Sequence, residues 1–386
     1  MRIQAVSGLT LDPKLPTHSR AAVLEAPRRI VIKRYETPRI GPDEMLLKTE
    51  LAGICGSDVK IYRGTIGKIL GISVPMPVVM GDEILGYVTE VGERFSRMHG
   101  VEKGSRIIVE PRIPCNHCEM CFTGNHTFCK NIKAYGWIRC DEPPHLWGSY
   151  AEYVYVPLDA RTHRVPEDVS ADVAILAAVV IPDGIHWVQN IGGLRVGDNI
   201  VIIGPGPQGL ASTLVARERG AGLVVVAGLA KDKVRMSYAK ELGADYLIDV
   251  EKEDLVERVR QLTGGSMADV VVECTGDVKS VQASLDLVKP RGTVVYISMT
   301  GMAEIPIVPQ KIAAKEIAFK GGLGPAGNVE AAIKFVHTIV KRKKHPLGRF
   351  ISHKFPLERS EEALKAMGFE AEGVDPIKVA IDLKQS

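Results

Sequence analysis

Between Asn199 and Ser298 the chain repeats one pattern: a short, almost wholly apolar segment followed by an amphipathic one. NIVIIG precedes GLASTLVARERG, LVVVAG precedes DKVRMSYAKELG, and YLIDV precedes LVERVRQLTGG. DVVVECTG then precedes VKSVQASLDLVKP, and GTVVYIS closes the series. Apolar runs this short fit strands buried on both faces, while the longer segments have a helical period. Strict alternation of the two predicts βαβ units around a parallel sheet, an α/β fold. The first joint carries Gly-x-Gly-x-x-Gly at Gly204, Gly206 and Gly209, with Pro207 and Gln208 between the last two. The first glycine permits a tight turn, the second lets the backbone approach a pyrophosphate, and the third packs helix on strand. The helix N-terminus then faces the phosphates. Alone this motif is equally a packing turn; within the alternation it predicts a dinucleotide site.

The chain before this region has a different texture. From Arg20 to about Pro166, AAVLEA, RIVIKRYE, EMLLKTELAG, YVTEVG, SRIIVEP and AEYVYVP are strand-like segments separated by Gly and Pro. That spacing, without helical periods between, predicts an all-β, barrel-like unit. The 386 residues accommodate two domains, and 38 Gly, 23 Pro and 5% aromatic residues suit many turns and short strands. VSADVAILAAVVIPDGIHWVQN reads as one helix joining the units. After Gly321, NVEAAIKFVHTIVKRK reads as a helix, followed by mixed segments to Ser386. Its basic end, Lys341 to Lys344, is a solvated helix terminus where cations are favoured. Residues 1–19 read as an extension preceding the fold.

A net charge of +3 gives no strong field for nucleic acid or an anionic membrane, so neither is expected as a partner. No apolar run approaches the roughly 18–20 residues that cross a bilayer, and the first residues form no secretory signal. The expected compartment is the cytoplasm. Four of the seven cysteines, Cys115, Cys118, Cys121 and Cys129, are spaced C-x2-C-x2-C-x7-C. Four thiolates so close can close a tetrahedral shell around one Zn2+ with no open position, which makes the metal structural. An iron–sulfur cluster is the competing occupant.

The second strand of the dinucleotide region ends at Gly228 with no carboxylate at its tip. Lys231, Lys233 and Arg235 follow, with Asp232 among them. An acid there takes the ribose hydroxyls of NAD, so its absence beside cations favours the 2′-phosphate of NADP. The competing reading is a set of ordinary exposed residues at a helix start, with NAD as cofactor.

These features together resemble the zinc-dependent medium-chain alcohol dehydrogenase family, which includes sorbitol and threonine dehydrogenases. GICGSD, GDE, the cysteine lobe, GSYAEY, VIIGPGPQGL and DVVVECTG carry the resemblance, from about Arg20 to the end. It implies a GroES-like catalytic domain (20–178 and 321–386, with the zinc lobe at 112–132) interrupted by a Rossmann domain (179–320). It further implies a homodimer or homotetramer that transfers hydride between nicotinamide and a small alcohol or carbonyl substrate. By the same resemblance Cys55 is a catalytic zinc ligand, Ser57 starts a proton relay, and Asp58 orients a ligating histidine. The relay often ends at a histidine, where this chain has Lys60.

The chain departs from the family at two ligands. The family writes GHE where this sequence has Gly81-Asp82-Glu83, and the third ligand position falls on Val179, with Asp183 near but out of register. Three outcomes stay open: zinc held by Cys55, Asp82 and Glu83; no catalytic metal, with Lys60 or Ser57 as proton donor; or a purely structural acidic pair. Three functions follow. They are a zinc-assisted dehydrogenase or ketone reductase, a zinc-independent reductase of an activated C=C, C=N or carbonyl bond, and a dinucleotide-binding protein without turnover. His145, Trp147 and Trp187 are candidates near the cleft, with core packing as the alternative; His186 reads as an ordinary helix residue.

Overall fold

In a computed structural model, residues 15–71, 74–299, 304–324 and 327–384 are described. The first strands are β1 (His18–Ala26), β2 (Arg29–Glu36), β3 (Glu44–Gly53), β4 (Val78–Val79), β5 (Glu83–Val91), β6 (Arg106–Val109), β7 (Arg112–Ile113), β8 (Lys133–Ala134), β9 (Tyr153–Pro157) and β10 (Thr162–Arg164). Next come β11 (Asn199–Ile203), β12 (Leu223–Gly228), β13 (Tyr246–Asp249), β14 (Ala268–Glu273), β15 (Val288–Tyr296) and β16 (Ala318–Gly321). Last are β17 (Ile351–Phe355) and β18 (Lys378–Asp382).

Strands β11 to β16 form one parallel sheet in the order β13-β12-β11-β14-β15-β16. The order reverses between β12 and β14 around β11, which puts a topological switch point, where such sheets open a crevice for a ligand, at the carboxyl ends of β11 and β14. Apolar side chains fill both faces, as the unbroken VVVA and IVII runs require. The other large sheet runs β10-β6-β5-β3-β18-β17, with β9 also on β3, and is antiparallel except for β17–β18. C-terminal strand β18 thus pairs with β3 and brings residues near 378 beside residues near 54. A small sheet, β2-β1-β4, lies alongside.

Three expectations change. Strand β1 starts at His18, so the fold begins inside the stretch read as an extension; residues 1–14 of that stretch lie outside the described residues. The joining helix is not continuous. It runs Ala171–Ala174, passes a 3-10 turn, breaks at Val179 (φ −137°), resumes at Val180–Ile185 and widens into a π-helical turn, His186–Ile191. Pro182 lacks an N–H and so fits the first turn of a new helix rather than the middle of an old one. VKP, read as a helix end, begins β15 instead: the helix stops at Leu287 and Val288 is extended. Among the described residues no single helix is long and apolar enough to cross a membrane; the bent pair 171–177 and 180–191 passes by length and composition, and its residues belong largely to the core.

Candidate active site and metal centres

The Sγ atoms of Cys115, Cys118, Cys121 and Cys129 all lie within 4.8 Å of one another. Cys118 and Cys121 are 3.6 Å apart, and the Cys115 backbone N–H donates to Cys129 Sγ at 3.2 Å. A tetrahedron of about 2.3 Å Zn–S bonds puts its sulfurs about 3.8 Å apart, so the lobe has the dimensions of a zinc site. Backbone N–H donors, first that of Lys130, pull the Cys118 thiol down to about 6, which favours the thiolate that a metal needs.

A second group converges between β3 and β5. Cys55 Sγ and one carboxylate oxygen each of Asp82 and Glu83 lie within 4.8 Å of one another. Local packing explains how. Gly81 has φ 92°, and a Cβ there would sit 2.2 Å from Ser149 Oγ, so only glycine lets GDE lie against GSYAEY. Ser149 N–H donates to Gly81 O and Tyr150 N–H to Met80 O. Gly53, opposite Glu83 in the β3–β5 ladder, leaves room for the Glu83 carboxylate: a Cβ would lie 2.0 Å from Oε2. Cys55 caps the helix Gly56–Tyr62, and Asp58 on that helix accepts from the Cys55 N–H (2.9 Å) and the Tyr150 hydroxyl (3.0 Å). With no histidine to orient, Asp58 holds the Cys55 turn instead.

The electrostatics of this group are lopsided. Burial, reinforced by the neighbouring carboxylates, pushes the Cys55 thiol and the Asp82 carboxyl well up; burial raises Asp58 to about 7. One cation answers them directly: Lys378 on β18, buried, donates to Glu83 Oε1 at 2.7 Å and to Ile54 O at 3.0 Å. Asp82 Oδ1, Glu83 Oε2 and Ser57 Oγ are buried with no hydrogen-bond partner. Unpaired anionic oxygens beside a thiol, in one small volume, are the donor set of a cation site, so the residues present fit a divalent metal. Val179, at the third ligand position, is buried and offers no donor. Lys60 lies on the same helix as Ser57, three residues on, and burial lowers its ammonium.

Two more charged groups face this centre. Burial lowers the Arg112 guanidinium, which feels Asp183, Asp82 and Cys55; its Nη1 is buried without a partner. Asp183, 4% exposed, accepts at Oδ2 from Gln208 Nε2 at 2.9 Å, and burial raises it to about 8. No motif in the sequence marks Lys378 or Arg112. The available signal was a lysine inside the apolar strand KVAID and an arginine next to Pro111, ahead of the cysteine lobe.

The glycine turn has the shape of a phosphate cradle. Gly204 has φ 103°, Gly206 caps the helix Pro207–Glu218, and a Cβ on Gly209 would sit 1.9 Å from Gly204 O. A Cβ on Gly206 would meet nothing within 4 Å, which leaves that backbone open to a ligand. Gly228 is tightly packed: a Cβ would lie 2.8 Å from Met236 Sδ and 3.0 Å from Pro205 Cγ, so a side chain there would have to displace both. Asp232 is fully engaged: it accepts from the Leu229 N–H at 3.0 Å and pairs with Arg235. Lys231 and Lys233 are exposed beside it. His145 stacks on Tyr35, and Trp147 packs edge-on to Tyr155, so both serve packing. Trp187 is buried with an unpartnered Nε1 against Gly322, and His186 is half-buried.

Two family models match the chain: an alcohol dehydrogenase GroES-like domain over residues 41–167 and a zinc-binding dehydrogenase over residues 207–338. A "Probable alcohol dehydrogenase" of Mycobacterium tuberculosis is 35% identical, covering 93% of this chain and 96% of that one. Sorbitol dehydrogenase of Macaca fascicularis is 31% identical over 89% of this chain and 91% of its own. A zinc-binding dehydrogenase structure from Sinorhizobium meliloti, solved with NADP, superposes with TM-score 0.82 at 26% identity, covering 95% of this chain and all of that one (100%).

Proposed function

The chain belongs to the zinc-type medium-chain alcohol dehydrogenase family and is a nicotinamide-dependent oxidoreductase, and on that premise we propose that it reduces a carbonyl or oxidises an alcohol at the Cys55–Asp82–Glu83 centre. The observation that carries this reading is the convergence of three anionic donors, two with unpaired buried oxygens, beside the dinucleotide crevice. Cys55, Asp82 and Glu83 would hold a divalent metal, which when bound supplies Lewis-acid polarisation of the substrate oxygen. The chain's own groups do the rest. Asp58 and Tyr150 fix the Cys55 turn. Lys378 neutralises Glu83, so the metal meets fewer free charges. In reduction Ser57 Oγ, buried and unpartnered, gives its proton to the substrate oxygen and is reprotonated by the Lys60 ammonium, next on the same helix, which burial makes a readier donor; in oxidation the proton runs the other way, to neutral Lys60.

The cofactor reading is NADP. The absence of a free carboxylate at Gly228, the engagement of Asp232 with Arg235, and the exposed Lys231 and Lys233 all support it, as does the NADP bound by the Sinorhizobium relative. Cys115, Cys118, Cys121 and Cys129 hold one structural zinc in this reading, and the seven free cysteines suit the reducing cytoplasm. The substrate in this reading is a small molecule, and the assembly is a homodimer or homotetramer.

The test is metal removal and return. Dialysis against a strong chelator should abolish NADPH-dependent reduction of a carbonyl panel, and added Zn2+ should restore it. Calorimetric titration should give NADP+ an affinity at least equal to that of NAD+. Full turnover by chelated protein that retains only the lobe metal would replace this reading with a metal-independent reductase.

A further inference from the structure

Asp183 is a buried acid that the reaction above leaves unused, and it sits at a crossing point. It lies on the helix Val180–Ile185. Its Oδ2 is tied to Gln208, the second residue of the helix that carries the glycine turn. On its other side Oδ1 packs against Gly324, just past β16; a Cβ on Gly324 would sit 1.7 Å from that oxygen. The carboxyl is therefore held between the start of the glycine-turn helix after β11 and the segment that follows β16. A dinucleotide whose pyrophosphate rested on the β11 turn, and whose hydride had to reach a carbon held at Cys55–Asp82–Glu83, would have to bring its nicotinamide past this carboxyl. Oδ1 is buried with no hydrogen-bond partner, so a positive group brought up to it would meet an acceptor that nothing else in the protein occupies.

We infer that Asp183 is the charge partner of the nicotinamide ring and sets the relative affinity of the site for oxidised and reduced cofactor. The inference rests on the dinucleotide reading of the glycine turn given above. The oxidised ring carries a positive charge and the reduced ring none. An ionised Asp183 stabilises the first and is indifferent to the second; a neutral Asp183 favours neither. The charged groups facing it are Arg112 from β7, Lys378 from β18 and Glu83 from β5; Gln208 contributes an uncharged donor, and the loop Gly321–Gly324 contributes no titratable side chain. Burial holds the carboxyl at about 8, so near neutral pH it keeps its proton until a cation arrives. Binding of oxidised cofactor then displaces that proton to water, whereas reduced cofactor leaves it in place. The consequence is a site whose preference for the oxidised cofactor grows with pH: toward acid pH it behaves like the same fold without this acid, and above about pH 8 it holds oxidised cofactor more tightly, which favours alcohol oxidation there.

The experiment measures dissociation constants for NADP+ and NADPH by calorimetry and fluorescence from about pH 6 to about pH 9, on the intact metal-loaded protein and on Asp183→Asn. An opposite charge nearby moves a carboxyl by about 1–3 pH units, and each unit is tenfold in linked affinity. Wild-type affinity for NADP+ should therefore rise about tenfold or more as pH climbs to about 8 and then level, while NADPH does not follow. Near pH 9 Asp183→Asn should bind NADP+ about tenfold more weakly than wild type and NADPH within about twofold, with a flat pH profile. Calorimetry of the wild type in two buffers of different ionisation enthalpy should also count a proton released with NADP+ and none with NADPH, whatever the variant's stability. Equal weakening of both cofactors, or an unchanged pH profile in Asp183→Asn, overturns the inference. Cofactor binding without turnover would strike the proposed reaction and leave this inference standing; no cofactor binding at all would remove both.

Discussion

Asp82 and Glu83 are adjacent in sequence but differently compensated. Glu83 has a buried lysine at 2.7 Å, whereas Asp82 Oδ1 has no hydrogen-bond partner and feels Lys378 and Arg112 only through space. Histidine at position 82 would bring a neutral ligand; aspartate brings a charge. A divalent ion with the Cys55 thiolate and the Asp82 carboxylate is neutral, one unit less positive than with thiolate and imidazole, and is a weaker Lewis acid. Val179 removes a further donor. Wild-type protein dialysed against chelator should therefore keep about one zinc per chain, the lobe ion, because a site short of protein ligands loses its metal first. Asp82→His combined with Val179→Glu should retain about two, and each single change less than the pair. Metal analysis of the four proteins decides it. Two zinc ions held by dialysed wild type would mean that Asp82 is a full substitute ligand.

The site depends on two elements touching closely. In the helix Val180–Ile185, Gly184 lies on the glycine-turn helix: a Cβ there would come within 3.1 Å of the Ala211 backbone. This contact sets the spacing that lets Asp183 reach Gln208. Gly184→Val should cost about 1–3 kcal/mol in a denaturant titration through overpacking, and should weaken cofactor binding as well. Unchanged stability would show that the helices separate freely. The sequence declared much of this architecture. The βα alternation, the glycine turn, the cysteine spacing and strands such as EMLLKTELAG follow from local patterns of period two or 3.6. What stayed hidden was non-local. Nothing near Lys378 in sequence says that β18 will pair with β3 and deliver its ammonium to Glu83, 295 positions away. The break at Val179 was hidden for another reason: an apolar run hides a kink, and only Pro182 marked it.

At the scale of the whole molecule the parallel sheet ends in a strand that invites a second copy. Within the described residues β16 pairs only with β15, on one side. Three of its four residues are exposed, including Phe319 at 37%, and Ile307 and Val308 shortly before it are exposed too. Proteins guard such edges with charge, proline or a covering element. The one charge on this strand, Lys320, is turned back to donate to Ile191 O and so does not guard it. Pairing β16 with its own copy across a two-fold axis would satisfy both open edges and bury both Phe319 rings. The prediction is a dimer in solution whose interface includes this edge. Phe319→Glu would set two carboxylates against each other near the axis, and sedimentation should then show the 42.0 kDa chain alone. Phe319→Lys should dissociate likewise. An equal mixture of the Glu and Lys variants should recover the dimer, because opposite charges then face each other, and that recovery separates a broken interface from a misfolded chain. A wild type that sediments as a monomer at micromolar concentration, or variants that remain dimeric, would leave β16 as an edge protected by some other means and place any assembly on a different face.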